Sequence, residues 1–122
     1  VLVRRGREQI EMDIQHFYVM EHDNRTIGCA ALHPYIDDKM AEFACLAIDP
    51  QYRGGGRGDK LFNYCQQQAR ELGFKQIFCL TTRTEHWFLE RGFDLSPIEK
   101  LPQSKQNLYN LQRKSKVYIK RL

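Results

Sequence analysis

The chain lacks any apolar run close to the length that a bilayer requires. A membrane-spanning helix needs about 20 consecutive apolar residues, and no stretch of the 122 residues comes near it. The first five residues, Val-Leu-Val-Arg-Arg, place apolar side chains before charged ones, which is the reverse of a secretory signal. We therefore expect no membrane partner and a cytoplasmic location.

Paired cysteine spacing is also missing. Cys29, Cys45, Cys65 and Cys79 form no Cys-x-x-Cys motif, and the four histidines have no metal-ligand spacing to one another or to the cysteines. Each cysteine lies in an apolar stretch, so we expect free, buried thiols in a reducing compartment. We expect no metal.

What is present favours one globular unit. A length of 122 residues allows a single two-layer core, and 42% hydrophobic with 28% charged residues is typical of a globular domain. The chain does not begin with methionine. We therefore expect residues 1–122 to form a single domain that belongs to a longer protein.

The net charge of +4 is unevenly distributed. Residues 100–122 carry seven basic residues and no acid, while the rest of the chain has a net charge of −3. This local excess predicts an anionic partner. A nucleic acid is disfavoured because only Tyr109 and Tyr118 could supply stacking in that segment.

Hydrophobic periodicity predicts mixed α/β packing. Predicted helices cover 7–15, the region beyond Gly58, 86–90 and 101–111. Predicted strands cover 17–20, 26–33, 40–48, 76–81 and 117–120, with a further strand starting at 93–95. Pro34 is expected to end the second strand, and the first two strands to form a hairpin. The helix beyond Gly58 is expected to bury Leu61, Cys65, Ala69 and Leu72, with Gly73 as its C-terminal cap.

A glycine-rich turn joins the strand at 40–48 to the helix that follows. Residues 53–58 read Arg-Gly-Gly-Gly-Arg-Gly after Ile-Asp-Pro at 48–50. Unpaired amides at a helix N-terminus bind anions, and glycines let phosphate oxygens approach because they have no Cβ. The spacing matches neither a P-loop nor the Gly-x-Gly-x-x-Gly motif. We predict a diphosphate site here; the alternative is a flexible turn.

Two segments resemble a known superfamily. The run at 46–58, with Arg-x-x-Gly-x-Gly at 53–58, resembles the pyrophosphate loop of the Gcn5-related N-acetyltransferases (GNAT), and Trp-Phe-Leu-Glu-Arg-Gly-Phe at 87–93 resembles their second coenzyme-binding block. The resemblance implies the GNAT fold, an α/β (α+β) architecture with a mixed central sheet and flanking helices, here without its first strand and helix. It also implies acetyl-coenzyme A (acetyl-CoA) as co-substrate, in a V-shaped cleft between strands 40–48 and 76–81.

A narrower resemblance covers almost the whole chain: the acetyltransferase domain of bacterial N-acetylglutamate synthases. It is carried by Cys-Ala-Ala-Leu at 29–32, Glu-Phe-Ala-Cys-Leu-Ala at 42–47, Leu-Thr-Thr-Arg at 80–83, Leu-Pro-Gln-Ser-Lys at 101–105, Tyr-Asn at 109–110 and Gln-Arg-Lys-Ser-Lys at 112–116. It implies acetyl transfer to the α-amino group of L-glutamate, the first step of arginine biosynthesis. Such enzymes form oligomers and normally carry an upstream amino-acid-kinase-like domain that binds arginine.

The resemblance also implies catalytic roles, with direct attack of the amine and no acyl-enzyme. Glu42 is the expected base, acting through a water, because desolvation in an apolar strand favours proton binding by its carboxylate. The alternative is a strand-end Glu42 paired with Lys39. Many relatives protonate the leaving thiolate with a tyrosine where this chain has Phe88. In the synthases a hydroxyl residue at the end of the preceding strand is proposed instead, so the resemblance implies Thr81 here, with Tyr109 as a second candidate.

The expected ligands fall into two sets. Those for the coenzyme are Leu46, Ala47, Ile48, Arg53, Gly54, Gly55, Gly56, Arg57, Gly58, Asp59 and Phe88. Those for the acceptor are Arg5, Cys45, Lys105, Arg113 and Ser115. The resemblance places Arg5 and Lys105 near the α-carboxylate of glutamate, with Arg113 and Ser115 at its side-chain carboxylate.

Two other functions fit parts of the pattern. The first is a GNAT acetyltransferase for a different small amine or amino acid, although a polyamine would require acidic residues that 100–122 lack. The second is a domain that binds coenzyme A as a regulator without catalysis. Loss of Glu42 or of the glycine loop would indicate the latter, and both are intact.

Overall fold

The computed structural model describes residues 2–4, 16–109 and 115–122, with only the backbone of 2–4, 108 and 109. The predicted helix at 7–15 lies outside the described residues. The described strands form one mixed sheet in the order β1-β2-β3-β4-β5-β7-β6, and only the β4–β5 pairing is parallel. The strands are β1 (Leu2–Arg4), β2 (Phe17–His22), β3 (Arg25–Tyr35), β4 (Met40–Ile48), β5 (Gln76–Thr81), β6 (Asp94–Ser96) and β7 (Lys116–Arg121).

Strand β4 lies at the centre of this sheet and divides two hydrophobic clusters. One face of the sheet packs Ala41 and Phe43 against helix α1 (Arg57–Glu71) and against Phe88 of helix α2 (Glu85–Leu89). The other face packs Met40 and Phe78 against Leu101, which precedes helix α3 (Gln103–Tyr109). Because both faces of β4 are covered, its first residues are apolar, with Glu42 as the exception.

The predicted hairpin is confirmed, but its second strand is longer than predicted. Asp23 and Asn24 both adopt positive φ, as a tight two-residue turn requires. Strand β3 continues through Pro34 to Tyr35. The N–H of Leu32 points away from β4, towards His16, and that of residue 34 would point the same way, beyond the end of β2. A proline there removes no bond to β4, so Pro34 does not end the strand.

Helix α1 confirms three of its four predicted core residues. Leu61, Cys65 and Ala69 are fully buried, whereas Leu72 is 64% exposed because it is the last residue of the helix end. Gly73 adopts φ +91° and closes the helix through its N–H to Arg70 and that of Phe74 to Ala69. The cap is confirmed; the burial of Leu72 was wrong.

Smaller differences affect the two ends of the chain. Strand β1 was not predicted, and it pairs with β2 at the edge of the sheet. Helix α3 begins at Gln103 rather than at residue 101, because Leu101 and Pro102 are extended before it. The remaining predicted strands agree with β4, β5 and β7 to within one residue at each end.

Candidate active site

A cleft opens where the two central parallel strands separate. Strands β4 and β5 are paired only from Met40–Glu42 to Gln76–Phe78, and beyond these residues they diverge. On the edges that face the gap, the far halves of both strands therefore have main-chain groups that no neighbouring strand covers. This is the V-shaped gap that was predicted between them.

A β-bulge at Cys45 shapes the β4 wall of the cleft. The register with β3 shifts between Ala31, which faces Ala44, and Cys29, which faces Ala47, so β4 carries one extra residue. Cys45 adopts φ +57°, and such a bulge bends the strand locally. It also leaves Cys45 exposed and Cys29 half-buried, so the prediction of buried thiols holds for Cys65 and Cys79 alone.

The remainder of β4 directs two amides into the cleft. The N–H of Asp49 bonds to the carbonyl of Ile27 on the β3 side. Because successive residues of a strand point their N–H groups to opposite edges, those of Ile48 and Leu46 face the cleft. The Nε of Arg53 donates to the Ile48 carbonyl at 3.2 Å, which confirms that this edge is not covered by a strand.

The glycine loop ends in an open helix N-terminus. Gly54 and Gly56 adopt φ of +87° and +75°, which only glycine accommodates readily, and Gly56 is the cap from which α1 begins. The first helical bond runs from the Lys60 N–H to the Gly56 carbonyl. The amides of the turn before Lys60 therefore have no intrahelical acceptor, and they face a hollow of about 410 Å³.

Two arginines border this hollow without filling it. Arg53 donates to the carbonyl of Ile48 at the end of β4, and Arg57 donates to the carbonyl of Tyr52 and lies over the Tyr52 ring at 5.1 Å. Both guanidinium groups retain further donors. The hollow thus combines main-chain amides, a helix dipole and two cations, which is a donor set for a phosphate-bearing ligand.

A second hollow of about 320 Å³ continues the cleft towards β5. Leu46 and Trp87 line both hollows, so the two form one groove from the helix N-terminus to the separation of the strands. Cys45, Thr81 and Phe88 line the second hollow. The groove therefore joins most of the predicted coenzyme ligands to Thr81, the predicted proton donor, whereas Glu42 lines neither hollow.

Glu42, the last residue of β4 that pairs with β5, forms a buried ion pair. Lys105 Nζ lies 3.1 Å from Glu42 Oε1, and the two residues are 7% and 6% exposed. The alternative partner, Lys39, was wrong. Burial and, to a smaller extent, the charge of Glu42 raise the pKa of the nearby Tyr35 hydroxyl to about 12. Lys105 had been predicted only as an acceptor ligand. Its pairing with Glu42 was missed because it depends on the tertiary packing that brings α3 over β4.

Thr81 sits at the end of β5 in a small hydroxyl network. Its Oγ1 accepts the backbone N–H groups of Arg83 and Thr84 and lies 2.8 Å from Thr84 Oγ1. Two donors to one hydroxyl oxygen leave its own proton free to be donated to Thr84 or into the hollow. Thr84 was not predicted, although it too lines the hollow.

The other predicted site residues are placed unevenly. Ala47, Gly58 and Asp59 line the first hollow, whereas Gly55 does not. Ser115 is half-buried immediately before β7. Arg5, Arg113 and the side chain of Tyr109 lie outside the described residues. Sequence reasoning missed Trp87, whose only signal was that it begins the block at 87–93.

The described ranges, 2–4, 16–109 and 115–122, contain no group of three or more residues suited to a metal ion. Their helices are also too short or too polar to cross a bilayer.

Comparison with known proteins identifies the fold. The family model described as the acetyltransferase (GNAT) domain matches residues 13–95. This chain belongs to the GNAT family. The cleft, bulge and glycine loop described above are thus parts of a GNAT acetyltransferase domain, with the mixed sheet and flanking helices that were predicted.

More specific relatives agree with the narrower resemblance. The chain is 51% identical over 119 residues to amino-acid acetyltransferases of Yersinia pestis and Yersinia pseudotuberculosis, covering 98% of this chain and 27% of theirs. A crystal structure of N-acetylglutamate synthase from Neisseria gonorrhoeae, complexed with coenzyme A and N-acetyl-glutamate, superposes with a TM-score of 0.88 at 38% identity, over 97% of this chain and 28% of that one. Tetrahymena Gcn5, at 19% identity and a TM-score of 0.71 over 93% of this chain and 74% of its own, shares the fold alone. The chain thus spans about a quarter of the specific relatives.

Proposed function

We propose that this domain transfers the acetyl group of acetyl-CoA to the α-amino group of L-glutamate, which yields N-acetylglutamate and coenzyme A and begins arginine biosynthesis. The observation that carries the proposal is the continuous groove from the open N-terminus of α1 to the strand separation beside Glu42. Its support from relatives is the 38% identity to a synthase whose crystals hold coenzyme A and N-acetyl-glutamate.

The first hollow fits the diphosphate of the donor. The amides between Gly56 and Lys60 lack intrahelical acceptors, and the Cβ positions of Gly54 and Gly56 have no atom within 4 Å, so the loop leaves room for phosphate oxygens. Arg53 and Arg57 would add charge. The backbone of this loop therefore holds the donor by its anionic end.

The open edge of β4 would align the pantetheine arm. Amide groups of the arm can pair with the N–H groups of Leu46 and Ile48 as an added strand would. Such pairing places the thioester near the bulge at Cys45, and a cleft-facing amide there can polarise its carbonyl. Cys45 is exposed and lines the second hollow, so it would lie beside the acceptor.

Glu42 would act as the base. An ammonium has no lone pair, so the acceptor nitrogen must lose a proton, which Glu42 receives through a water. The neutral amine then attacks the carbonyl carbon, the carbon–sulfur bond breaks with its electron pair on sulfur, and the nitrogen releases its second proton to solvent as the amide forms. In the described state Lys105 occupies one oxygen of Glu42. The carboxylate of an amino acid can draw this ammonium away while its own ammonium approaches Glu42.

Thr81 would protonate the departing thiolate. Its oxygen accepts two backbone N–H groups, which favours release of the hydroxyl proton, and Thr84 can replace that proton through their 2.8 Å contact. Phe88 cannot donate, and Tyr109 remains the second candidate for this role. Arg5, Arg113 and Ser115 would complete the acceptor site, with the two arginines suited to paired contacts with carboxylates.

The activity belongs to the whole protein, of which this chain would be one domain. We expect a homo-oligomer with a regulatory or fused domain upstream, located in the cytoplasm. The four free cysteines of the described residues fit a reducing compartment.

A thiol-release assay on the full-length protein tests this function. Acetyl-CoA is supplied with L-glutamate, L-alanine, L-lysine or 4-aminobutanoate, which is glutamate without its α-carboxylate. Glutamate should give the highest kcat/KM, and Arg113→Ala should raise its KM about tenfold or more, since a charged bond is lost. If alanine, lysine or another amine equals glutamate, the acceptor is a different amino acid or amine, and only the GNAT assignment stands.

A further inference from the structure

Arg91 joins two elements that both border the donor groove. Its Nε and Nη2 donate to the two carboxylate oxygens of Asp59, at 2.5 and 2.9 Å, across 32 residues of sequence. Its Nη1 donates to the carbonyl of Trp87 at 2.7 Å. One guanidinium therefore ties the first turn of α1 to α2.

The flat face of the same guanidinium supports Trp87. Its Cζ lies 3.8 Å from the centre of the Trp87 ring, which is the distance of a stacked pair. Trp87 lines both hollows and reaches Gly58 in the first turn of α1. The ring is thus the part of the groove wall that Arg91 holds in place.

Asp59 would be an unfavourable neighbour for an anionic ligand if it stood alone. It is the third residue of α1 and lines the hollow whose amides face the proposed diphosphate. An isolated carboxylate at a helix N-terminus interacts with the same amides and dipole that an anionic ligand needs. The fork of Arg91 uses both of its oxygens and lowers the pKa of Asp59, so the carboxylate stays ionised but neutralised.

The position of the pair suits a role in the groove as well as in stability. The side chain of Asp59 is 47% exposed and that of Arg91 20%, so solvent screens part of what the fork contributes to stability. A stabilising ion pair needs neither the stack on Trp87 nor a place beside the hollow. Both of these features contribute to the shape and charge of the donor site.

We propose that Arg91 is a positioning residue for the acyl donor: it neutralises Asp59 beside the diphosphate site and holds Trp87 as the wall of the pantetheine groove. The inference rests on the proposed function for the identity of the donor. It adds that binding strength depends on a residue that does not touch the donor, acting through Asp59 by charge and through Trp87 by shape.

The two effects separate when two donors are compared. Acetyl-CoA carries the diphosphate, whereas S-acetylpantetheine carries only the arm and the thioester. In the full-length protein, Arg91→Met should raise the KM of acetyl-CoA about three- to tenfold more than that of S-acetylpantetheine, because only the former meets the freed carboxylate. The KM of the acceptor should stay constant.

Removal of the carboxylate should reverse the charge effect. The double variant Asp59→Asn/Arg91→Met should regain most of the excess loss with acetyl-CoA, and the loss that both donors share should persist because Trp87 remains unsupported. Asp59→Asn alone should show no excess loss with acetyl-CoA over S-acetylpantetheine, and only a small loss that both donors share, because Arg91 loses its charged fork. Calorimetric titration with coenzyme A and with pantetheine gives the same comparison without turnover, so a failed acceptor assignment would not obscure it.

Thermal melting is the control for folding, and Arg91→Lys, which keeps the charge but not the fork, replaces Arg91→Met if the latter does not fold. With Arg91→Lys, the acetyl-CoA excess should be small while the loss shared by both donors remains. Equal losses for both donors in Arg91→Met, with no recovery in the double variant, would overturn the proposal and leave Arg91 a structural residue.

Discussion

The two halves of strand β4 differ in almost every property although they belong to one continuous strand. From Met40 to Phe43 the strand is buried, and Met40–Glu42 have a neighbouring strand on each side. From Ala44 to Ile48 half-buried and exposed residues alternate, and only β3 is bonded to the strand. The first half holds the charged side chain of Glu42 in a buried layer, whereas the second half exposes main-chain groups to the cleft.

The bulge at Cys45 and the divergence from β5 explain this difference. A strand buried on both sides can hold an ion pair such as Glu42–Lys105 away from water, but it has no free amide. A strand that loses one neighbour exposes a row of N–H and C=O groups that a ligand can pair with. One strand would thus supply the proposed base at one end and the proposed docking edge at the other.

The largest expected effect lies in the buried half. Glu42→Gln removes the proposed base while an amide oxygen remains for Lys105, so kcat should fall about 10²- to 10⁴-fold with little change in the KM of acetyl-CoA. Steady-state thiol release measures both constants. Glu99→Gln, at an exposed acid, is the control; an active Glu42→Gln enzyme would place the base elsewhere.

The ion pair should also matter for folding. Lys105→Met leaves the Glu42 carboxylate buried without a partner, which should lower the free energy of unfolding by about 3–5 kcal/mol. The double variant Glu42→Gln/Lys105→Met removes both charges and should recover most of that loss. Urea unfolding monitored by circular dichroism gives the values. An unchanged midpoint for Lys105→Met would mean that water reaches the pair.

The open half should respond through its backbone. Ile48→Pro removes an N–H that faces the cleft, so the KM of acetyl-CoA should rise about two- to tenfold, as expected for one hydrogen bond. Its loss of stability should be limited to the packing of the half-buried Ile48 side chain. Ala47→Pro is the matched control, because it removes an N–H directed towards β3 and should lower the melting temperature instead. Equal effects of the two prolines on KM and melting would contradict the assignment of the cleft-facing edge.

The smallest expected effect concerns the hydrogen bond that Tyr118 of β7 donates to Glu85 of α2. It lies beyond the residues at which β4 and β5 pair. This bond, ahead of burial, raises the pKa of Tyr118 from 10 to about 12. A raised pKa means that the folded state favours the protonated phenol. The contribution of this hydrogen bond to stability is therefore complete below pH 10 and is lost as the pH rises towards 12. Tyr118→Phe should therefore show a shallower fall in stability over that range; identical slopes would exclude the bond.

Local patterns were sufficient wherever neighbouring residues settle the outcome. The glycine loop, the cap at Gly73 and the strands at 40–48 and 76–81 follow from positive-φ residues and apolar periodicity, and the structure agrees with them. Pro34 and Leu72 were misjudged because each depends on a partner or on its absence: Pro34 on the end of β2, Leu72 on the last turn of α1.

Sequence alone thus determined the order of the elements that follow β1, the glycine-rich turn and the family, since each rests on contiguous residues whose spacing is itself the signal. Only the tertiary structure decided which charges meet. Glu42 and Lys105 lie on different elements, as do Asp59 and Arg91. Pairing across such distances depends on how α2 and α3 pack around the sheet, and no local spacing records it.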